Sequence, residues 1–522
     1  LALLKMDKCE IIIEPRYFYG RVWRMMVPEL LVDIDRRSAL PLQSQLFDAI
    51  RAMVLDGRLA PNFRLPSSRD LAGQLNIGRN TVIAVYERLT AEGYVSSARG
   101  GGTRITALSP DLYLTAGAAR IAPASKAKSD QPPTLSNRGA QALRARGLVP
   151  VMGLPAAFIA GQPDISEFPH DKWAKLLARA VRRVRPGDLG YGWVGGWPDL
   201  RQAIAEQVGA TRRVLADAEQ VIITTGTQAA LVLASQLLSD PGDRVLMEDP
   251  GYLGARGVFT AAGNRVTGVP VDGQGMDIDR VALDQPTPKL IYTTPSHQFP
   301  TGATLSLARR LRLLEFAAQS GAYILEDDYD SEFRFEGRPL SSLQGLSVER
   351  QGTKARVIYI GTFAKTLFPA LRVGFLIAPP GLGSAFAAAA RNVGVMPPIH
   401  IQAALAQFLT QGDYAAHVRR MRLIYKRRQG LLIKALRDHF DESCLIGPPE
   451  GGMQLAFRPD GSVPNDQLPH LGLARGLTLN LLSRLYLHPD SPAARGLHLG
   501  FAAIPDDQIT PAARVLAEIC RP

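Results

Sequence analysis

The chain of 522 residues is 46% hydrophobic and 21% charged, a globular balance that excludes a fibrous or broadly disordered protein. At roughly 150 residues per domain, the length predicts about three domain-sized units able to bury their cores without covalent staples. Cys9, Cys444 and Cys520 are odd in number and scattered, which speaks against a disulfide framework or a structural zinc site, and no stretch of about 20 residues is continuously apolar. The reading is a cytoplasmic protein with no membrane association. The net charge of +12 is uneven: residues 35–150 hold sixteen basic and eight acidic side chains, while those after 150 share only +4. A basic segment on a near-balanced body predicts a polyanion partner, because Lys and Arg displace counterions from phosphates.

Residues 1–34, mixed in charge and apolarity, are expected to be an unstructured leader. Residues 41–57 place Leu42, Leu46, Ile50, Met53 and Val54 at three- and four-residue spacings between Pro41 and Gly57, which predicts one amphipathic helix. A second short helix is predicted from Ser67 or Ser68 with a serine N-cap. A third runs from Arg79, with Val82, Val85, Tyr86 and Leu89 as its buried stripe. Residues 94–105 then predict a hairpin around Arg99-Gly100-Gly101-Gly102. The run LPSSRDLAGQLNIGRNTVIAVYERLTAEGY followed by GGGT resembles the winged helix-turn-helix of the GntR superfamily of bacterial regulators, over residues 35–106. In such a layout Arg79, Asn80 and Thr81 at the start of the third helix suit base edges in the major groove. Arg64 and Arg69 suit the phosphate backbone of double-stranded operator DNA, and Ser67 and the wing's Gly101 are further candidate DNA-binding residues.

Residues 107–148 are small, polar and proline-bearing, and predict a flexible linker with one short helix near 137–146. From 149 to 522, strand-like runs (VIITTG, DRVLMED, RVTGVPV, KLIYTTP, AYILEDDYD, RVIYIGT, RVGFLIAP) alternate with helical patterns. That alternation predicts an α/β domain with a mainly parallel sheet, and such sheets bind ligands at the carboxyl ends of their strands. At those ends stand Gly226-Thr227-Gln228, where a helix N-terminus offers an anion site, then Tyr252, the pair Asp327-Asp328, and Lys365 with Arg372 seven residues on.

In this order the motifs resemble the fold-type-I, aminotransferase-like family of pyridoxal 5'-phosphate enzymes. The resemblance implies that Lys365 forms the Schiff base, that Tyr252 stacks on the ring, and that Tyr329 reaches its phenolic oxygen. It further implies that Gly226, Thr227, Gln228, Thr362 and Arg372 hold the phosphate, and that Tyr191 reaches the phosphate of a neighbouring subunit in a dimer. Asp327 would face the pyridine nitrogen by motif spacing, with Asp328 as its competitor, since adjacent strand residues point to opposite faces.

A winged helix, a linker and an aminotransferase-like body together resemble the MocR/GabR subfamily of GntR-type regulators. The fold class implied is multidomain: a small winged helix-turn-helix plus a large α/β pyridoxal-phosphate domain. The resemblance implies a homodimeric, head-to-tail transcription regulator that senses the cofactor or an amino compound. An active aminotransferase tethered to DNA is the alternative.

Two departures bear on the effector. The asparagine usual before Pro-Thr-Gly is missing from Ser296-His297-Gln298-Phe299, so His297 or Gln298 is expected to take its place on the ring oxygen. In ARGLHLGFA, His498 stands where aminotransferases carry the arginine that grips a carboxylate, with Arg495 as the other candidate.

Overall fold

The computed structural model describes residues 30, 32–98, 102–106, 135–144, 157–190, 193–281, 286–337, 340–447, 450–460 and 463–521. The chain forms two compact units, residues 1–132 and 133–522.

In the first unit, helix α1 (Leu42–Leu55) starts after Pro41, whose fixed φ suits a helix entrance. Helix α2 (Ser68–Leu75) is capped by Ser67, and α3 (Arg79–Ala91) follows the tight turn at Asn76, which adopts the left-handed conformation at the end of α2. Strands β1 (Val95–Ala98) and β2 (Gly102–Ile105) pair antiparallel as the wing, with Val95 opposite Ile105. Leu46, Ile50, Val82, Val85 and Leu89 are fully buried, each contributing about 1.5–3 kcal/mol of transfer free energy. Leu30 is buried in the same core and Val32 and Ile34 pack against it. These three were expected in the leader. The Val32 amide donates to the Leu30 carbonyl at 3.0 Å, and three apolar residues are too short a signal to stand out against the mixed residues before them.

The second unit opens with α4 (Asn137–Arg144), the short helix expected in the linker. It is part of this unit, because Arg138 Nε donates to the Ala261 carbonyl at 2.9 Å. The eight-stranded sheet runs β3-β10-β9-β8-β7-β4-β5-β6. Its strands are β3 (Val221–Thr224), β4 (Arg244–Asp249), β5 (Arg265–Asp272), β6 (Gly275–Met276), β7 (Leu290–Thr293), β8 (Tyr323–Asp328), β9 (Val357–Thr362) and β10 (Gly374–Ile377). The contiguous set β9-β8-β7-β4-β5 is parallel, while β10 lies antiparallel between β3 and β9, so the sheet is mixed. Both faces are covered. Along β3, Val221 and Ile223 join one apolar cluster and Ile222 the opposite one, the period-two division expected of a strand buried on both sides.

A four-stranded antiparallel sheet, β11 (Leu445–Ile446), β12 (Gln454–Phe457), β13 (Asn480–Leu481) and β14 (Leu497–Gly500), in the order β11-β12-β14-β13, completes the unit. It packs its apolar side chains with the helices Asp413–Arg437 and Asp506–Cys520, which bury Tyr425, Leu432 and Leu516. Cys444 and Cys520 are buried free thiols. Among the described residues no helix is long and apolar enough to cross a membrane.

Candidate functional site

On the winged-helix unit, Arg64, Arg69, Arg79 and Asn80 are exposed and Thr81 is half-buried. At the start of α3, Arg79 Nε lies 3.4 Å from Ser68 Oγ of α2, and midway along α3 the Tyr86 hydroxyl donates to the carbonyl of Pro66, ahead of α2, at 2.8 Å. Ser67, placed in the DNA-contacting set by sequence, spends its hydroxyl locally: it accepts from Asp70 N at 3.2 Å and donates to Asp70 Oδ2 at 2.6 Å. Its first duty is the helix cap. Gly101 lies outside the described residues, but Gly102 shows why the wing needs glycine. It has φ +76°, and a Cβ there would sit 2.8 Å from Arg64 Nε, so the guanidinium lies flat against the wing's base. Arg36, unnoticed in the sequence, donates to the Leu75 and Asn76 carbonyls and closes the end of α2.

In the large unit, β3 leads through Gly226 into helix α5 (Thr227–Leu238). Gly226 has φ +112° and no side chain caps the helix, so the amides of Thr227 and Gln228 have no backbone partner among the described residues. A Cβ at Gly226 would lie 3.8 Å from Arg372 Nη1, which places that guanidinium beside the same helix end. Arg372 is exposed and takes the left-handed conformation, φ 51°, rare for a residue with a side chain. Thr362, ending β9, accepts from the amide of Ala364 and keeps its hydroxyl proton for another acceptor. Two amides, a hydroxyl and a guanidinium are the donors a phosphate requires.

Lys365 donates from Nζ to the Gly161 carbonyl at 2.6 Å. Burial lowers its pKa, and the Asp330 and Asp327 charges offset that only in part. Asp327 and Asp328 part ways. Asp328 Oδ2 receives Arg212 Nε at 2.8 Å and the Tyr359 hydroxyl at 2.5 Å. Asp327 Oδ2 receives the Tyr292 hydroxyl at 2.7 Å and has no cation partner; the Oδ1 of each aspartate is buried without a hydrogen bond among the described residues. Burial lifts the Asp327 carboxyl to about 7. Its charge acts on both Lys365 and Tyr252, whereas Asp328 is committed to Arg212.

A cavity of about 610 Å3 is lined by Lys365, Gln228, Tyr252, Phe299, Gln454 and His498, among others. The Tyr252 hydroxyl accepts from Gln228 Nε2 at 3.2 Å, and its ring meets Phe299 edge-on. Helix α6 (Leu253–Ala261) begins here, and Gly254 lets the pair pack, since a Cβ there would fall 2.3 Å from Gln228 Nε2. Tyr329 donates or accepts at His297 Nδ1, 3.0 Å away. His297 also binds Asp330 at 3.0 Å, and that carboxylate, outweighing burial, raises the imidazole's pKa. Neither candidate for the missing asparagine lines the cavity: Gln298 spends its amide on Glu248, Pro250, Phe299 and Thr301 to build its own loop.

His498 is fully buried with neither ring nitrogen partnered, and burial, with the His297 and Lys365 charges, holds its pKa down to about 3. Arg495, the other carboxylate candidate, is exposed and lines a different cleft beside Arg458 and Asn465. Arg495 closes the short turn Pro492–Ala494 ahead of β14, and Gly496, with φ +131°, breaks the chain's direction before His498. Tyr191 lies outside the described residues. Gln454, Gly161 and Phe299 were missed by sequence; only Gly451-Gly452 before an apolar run hinted at β12.

Residues 42–105 match the family described as "Bacterial regulatory proteins, gntR family", and residues 160–515 match "Aminotransferase class I and II". The chain therefore belongs to the GntR-type regulators that carry a class I and II aminotransferase domain, the MocR group. It is 40% identical over 90% of its length, and 92% of the relative's, to the probable rhizopine catabolism regulatory protein MocR of Rhizobium meliloti. It is 34% identical to the HTH-type transcriptional regulator TauR of Rhodobacter capsulatus, covering 89% of this chain and 93% of that one. Among solved structures, the α-aminoadipate aminotransferase LysN of Thermus thermophilus matches with a TM-score of 0.63 and 27% identity, over 79% of this chain and 98% of that one. Pyridoxal phosphate is the cofactor of this domain. The residues present fit it: free helix-end amides with Arg372 for the phosphate, an unpartnered Asp327 oxygen for the ring nitrogen, and a desolvated Lys365 amine.

Proposed function

We propose that this protein is a transcription regulator acting in the cytoplasm as a head-to-tail homodimer. Its winged helix binds double-stranded operator DNA, and its large unit senses pyridoxal phosphate or an amino compound that reacts with it. The observation that supports this reading is a cavity lined by Lys365, Gln228 and Tyr252 together with His498, whose pKa burial holds down, where an aminotransferase needs a guanidinium.

When bound, pyridoxal phosphate supplies an aldehyde and an electron-withdrawing ring. The chain's own residues do the rest. Lys365 offers an amine that gives up its proton more readily for being buried. Asp327 would hold a proton toward the ring nitrogen, Tyr252 would pack on the ring, and Tyr329 would serve its phenolic oxygen. Gly226, Thr227, Gln228, Thr362 and Arg372 would hold the phosphate. Arg79, Asn80 and Thr81 read bases, while Arg64 and Arg69 set the register on phosphates. Ligand at the large unit biases one dimer arrangement, by its differential affinity for the two, and so changes how the winged helices meet their half-sites.

The test is operator binding of wild type and Lys365→Ala on a promoter fragment, with and without pyridoxal phosphate. Wild type is expected to respond to cofactor and the variant not to; identical, cofactor-blind binding by both would end the sensing reading.

A further inference from the structure

We infer that the amine sensed by this protein carries hydroxyl groups in place of a carboxylate, and that His498 and Gln454 are the side chains that bind them. The inference rests on the sensing reading above and gives it a ligand class. Strands β12 and β14 are antiparallel neighbours in which Ala456 faces His498 and Gln454 faces Gly500. Gln454 and His498 therefore stand diagonally on one face of the sheet, and both line the cavity that holds Lys365. His498 is 0% exposed and Gln454 4%. Gln454 hydrogen-bonds Tyr329, yet its Oε1 and both imidazole nitrogens of His498 have no partner among the described residues. Leaving each such atom unmet costs about 1–3 kcal/mol. Three on one wall of a cavity point to a ligand that meets them.

The chemistry of that ligand follows from capacity. A neutral imidazole offers one donor and one acceptor, and the amide oxygen offers an acceptor. Hydroxyls both donate and accept, so two of them satisfy all three atoms. A carboxylate accepts only: it would find a single donor and oppose the Gln454 oxygen. The imidazole does not reproduce a guanidinium fork, since it has at most two donors, and burial with the neighbouring His297 and Lys365 charges holds its pKa down to about 3. The one guanidinium among the described lining residues, Arg138, is exposed and bonded to Ala261 at the far end of α6. That is about 13 Å along the helix from Tyr252 at 1.5 Å per residue. Edge-on packing of Phe299 at 5.0 Å holds the His498 ring in place.

The test uses full-length protein loaded with pyridoxal phosphate and two matched probe pairs: 4-aminobutan-1-ol against 4-aminobutanoate, and 2-aminocyclohexanol against 2-aminocyclohexanecarboxylate. Binding is read from the cofactor's visible band and from the unfolding temperature. In each pair the alcohol is expected to bind at least tenfold more tightly; His498→Arg should reverse the order, and Gln454→Leu should weaken the alcohols about tenfold without helping the acids. Gln454→Leu keeps the test decisive if the arginine variant does not fold. Acids binding as well as alcohols, or an order unchanged in both variants, would overturn the inference and leave cofactor sensing standing. A protein that never takes up the cofactor band would overturn the sensing reading itself, and this inference with it.

Discussion

The two units present their ligand-facing side chains in opposite ways. In the winged helix, Arg64, Arg69 and Arg79 are exposed cations on short helices and at the wing's base, whereas in the large unit Asp327 and His498 are buried and Lys365 half-buried, with pKa values moved chiefly by desolvation. The difference follows from the partner. DNA brings its own dense charge, so cations serve best when solvated and free to replace counterions. A cofactor aldehyde needs an amine that can shed its proton and a carboxyl that can hold one, and only burial shifts both toward neutrality. Damage should therefore appear as lost affinity in one unit and as lost stability or altered titration in the other.

The sharpest contrast lies within one strand. Asp328→Asn leaves Arg212 buried without its carboxylate and is expected to destabilise the large unit by about 3–5 kcal/mol. Denaturant melts of cofactor-free protein check this, and a loss under 1 kcal/mol would mean the pair is relaxed in solution.

Asp327→Asn should behave differently, with an effect that depends on pH. The carboxyl is raised to about 7 in the folded chain, so its contribution to stability is whole below the ordinary carboxylate range and is lost as pH rises through 7. Relative to the asparagine variant, cofactor-free wild type should lose up to about 4 kcal/mol between pH 4 and 8, at about 1.4 kcal/mol per unit. Parallel stability curves for the two proteins would contradict the buried, unmet carboxyl.

On the winged helix, Arg79→Ala should cost about 1–3 kcal/mol of operator affinity and relax base preference, while Arg69→Ala should weaken all sequences alike and lower the salt slope by about one. Anisotropy titrations at several salt concentrations separate the two. Neither is expected to move the unfolding temperature of the large unit. The smallest effect is that of Ser67→Ala, about 1 kcal/mol from the lost cap of α2. If instead it lowered DNA affinity with no change in the first unit's stability, Ser67 would be a contact residue and not a cap.

What could be read from the sequence was local or periodic. The apolar stripes of α1 and α3, the Ser67 cap, and the seven strand-like runs that became β3, β4, β5, β7, β8, β9 and β10 are encoded within a few residues of where they act. The same holds for Gly226 before a helix and for Lys365 three residues past a strand. The rest depended on residues distant in the chain. The partner of Asp328 is Arg212, 116 residues away, and without it the two aspartates were equivalent. Gln454 entered the site because β12 lies beside β14, and Arg495 left it because it precedes β14 and turns outward. The carbonyl that receives Lys365 belongs to Gly161, 204 residues back. Sequence by itself determined which elements form and which chemistry they carry, since hydrogen bonds within helices and the period of burial are near-neighbour effects. Tertiary structure alone decided which buried polar atoms find partners and which are left open to a ligand, because satisfaction of a buried donor or acceptor is settled by whatever packs against it.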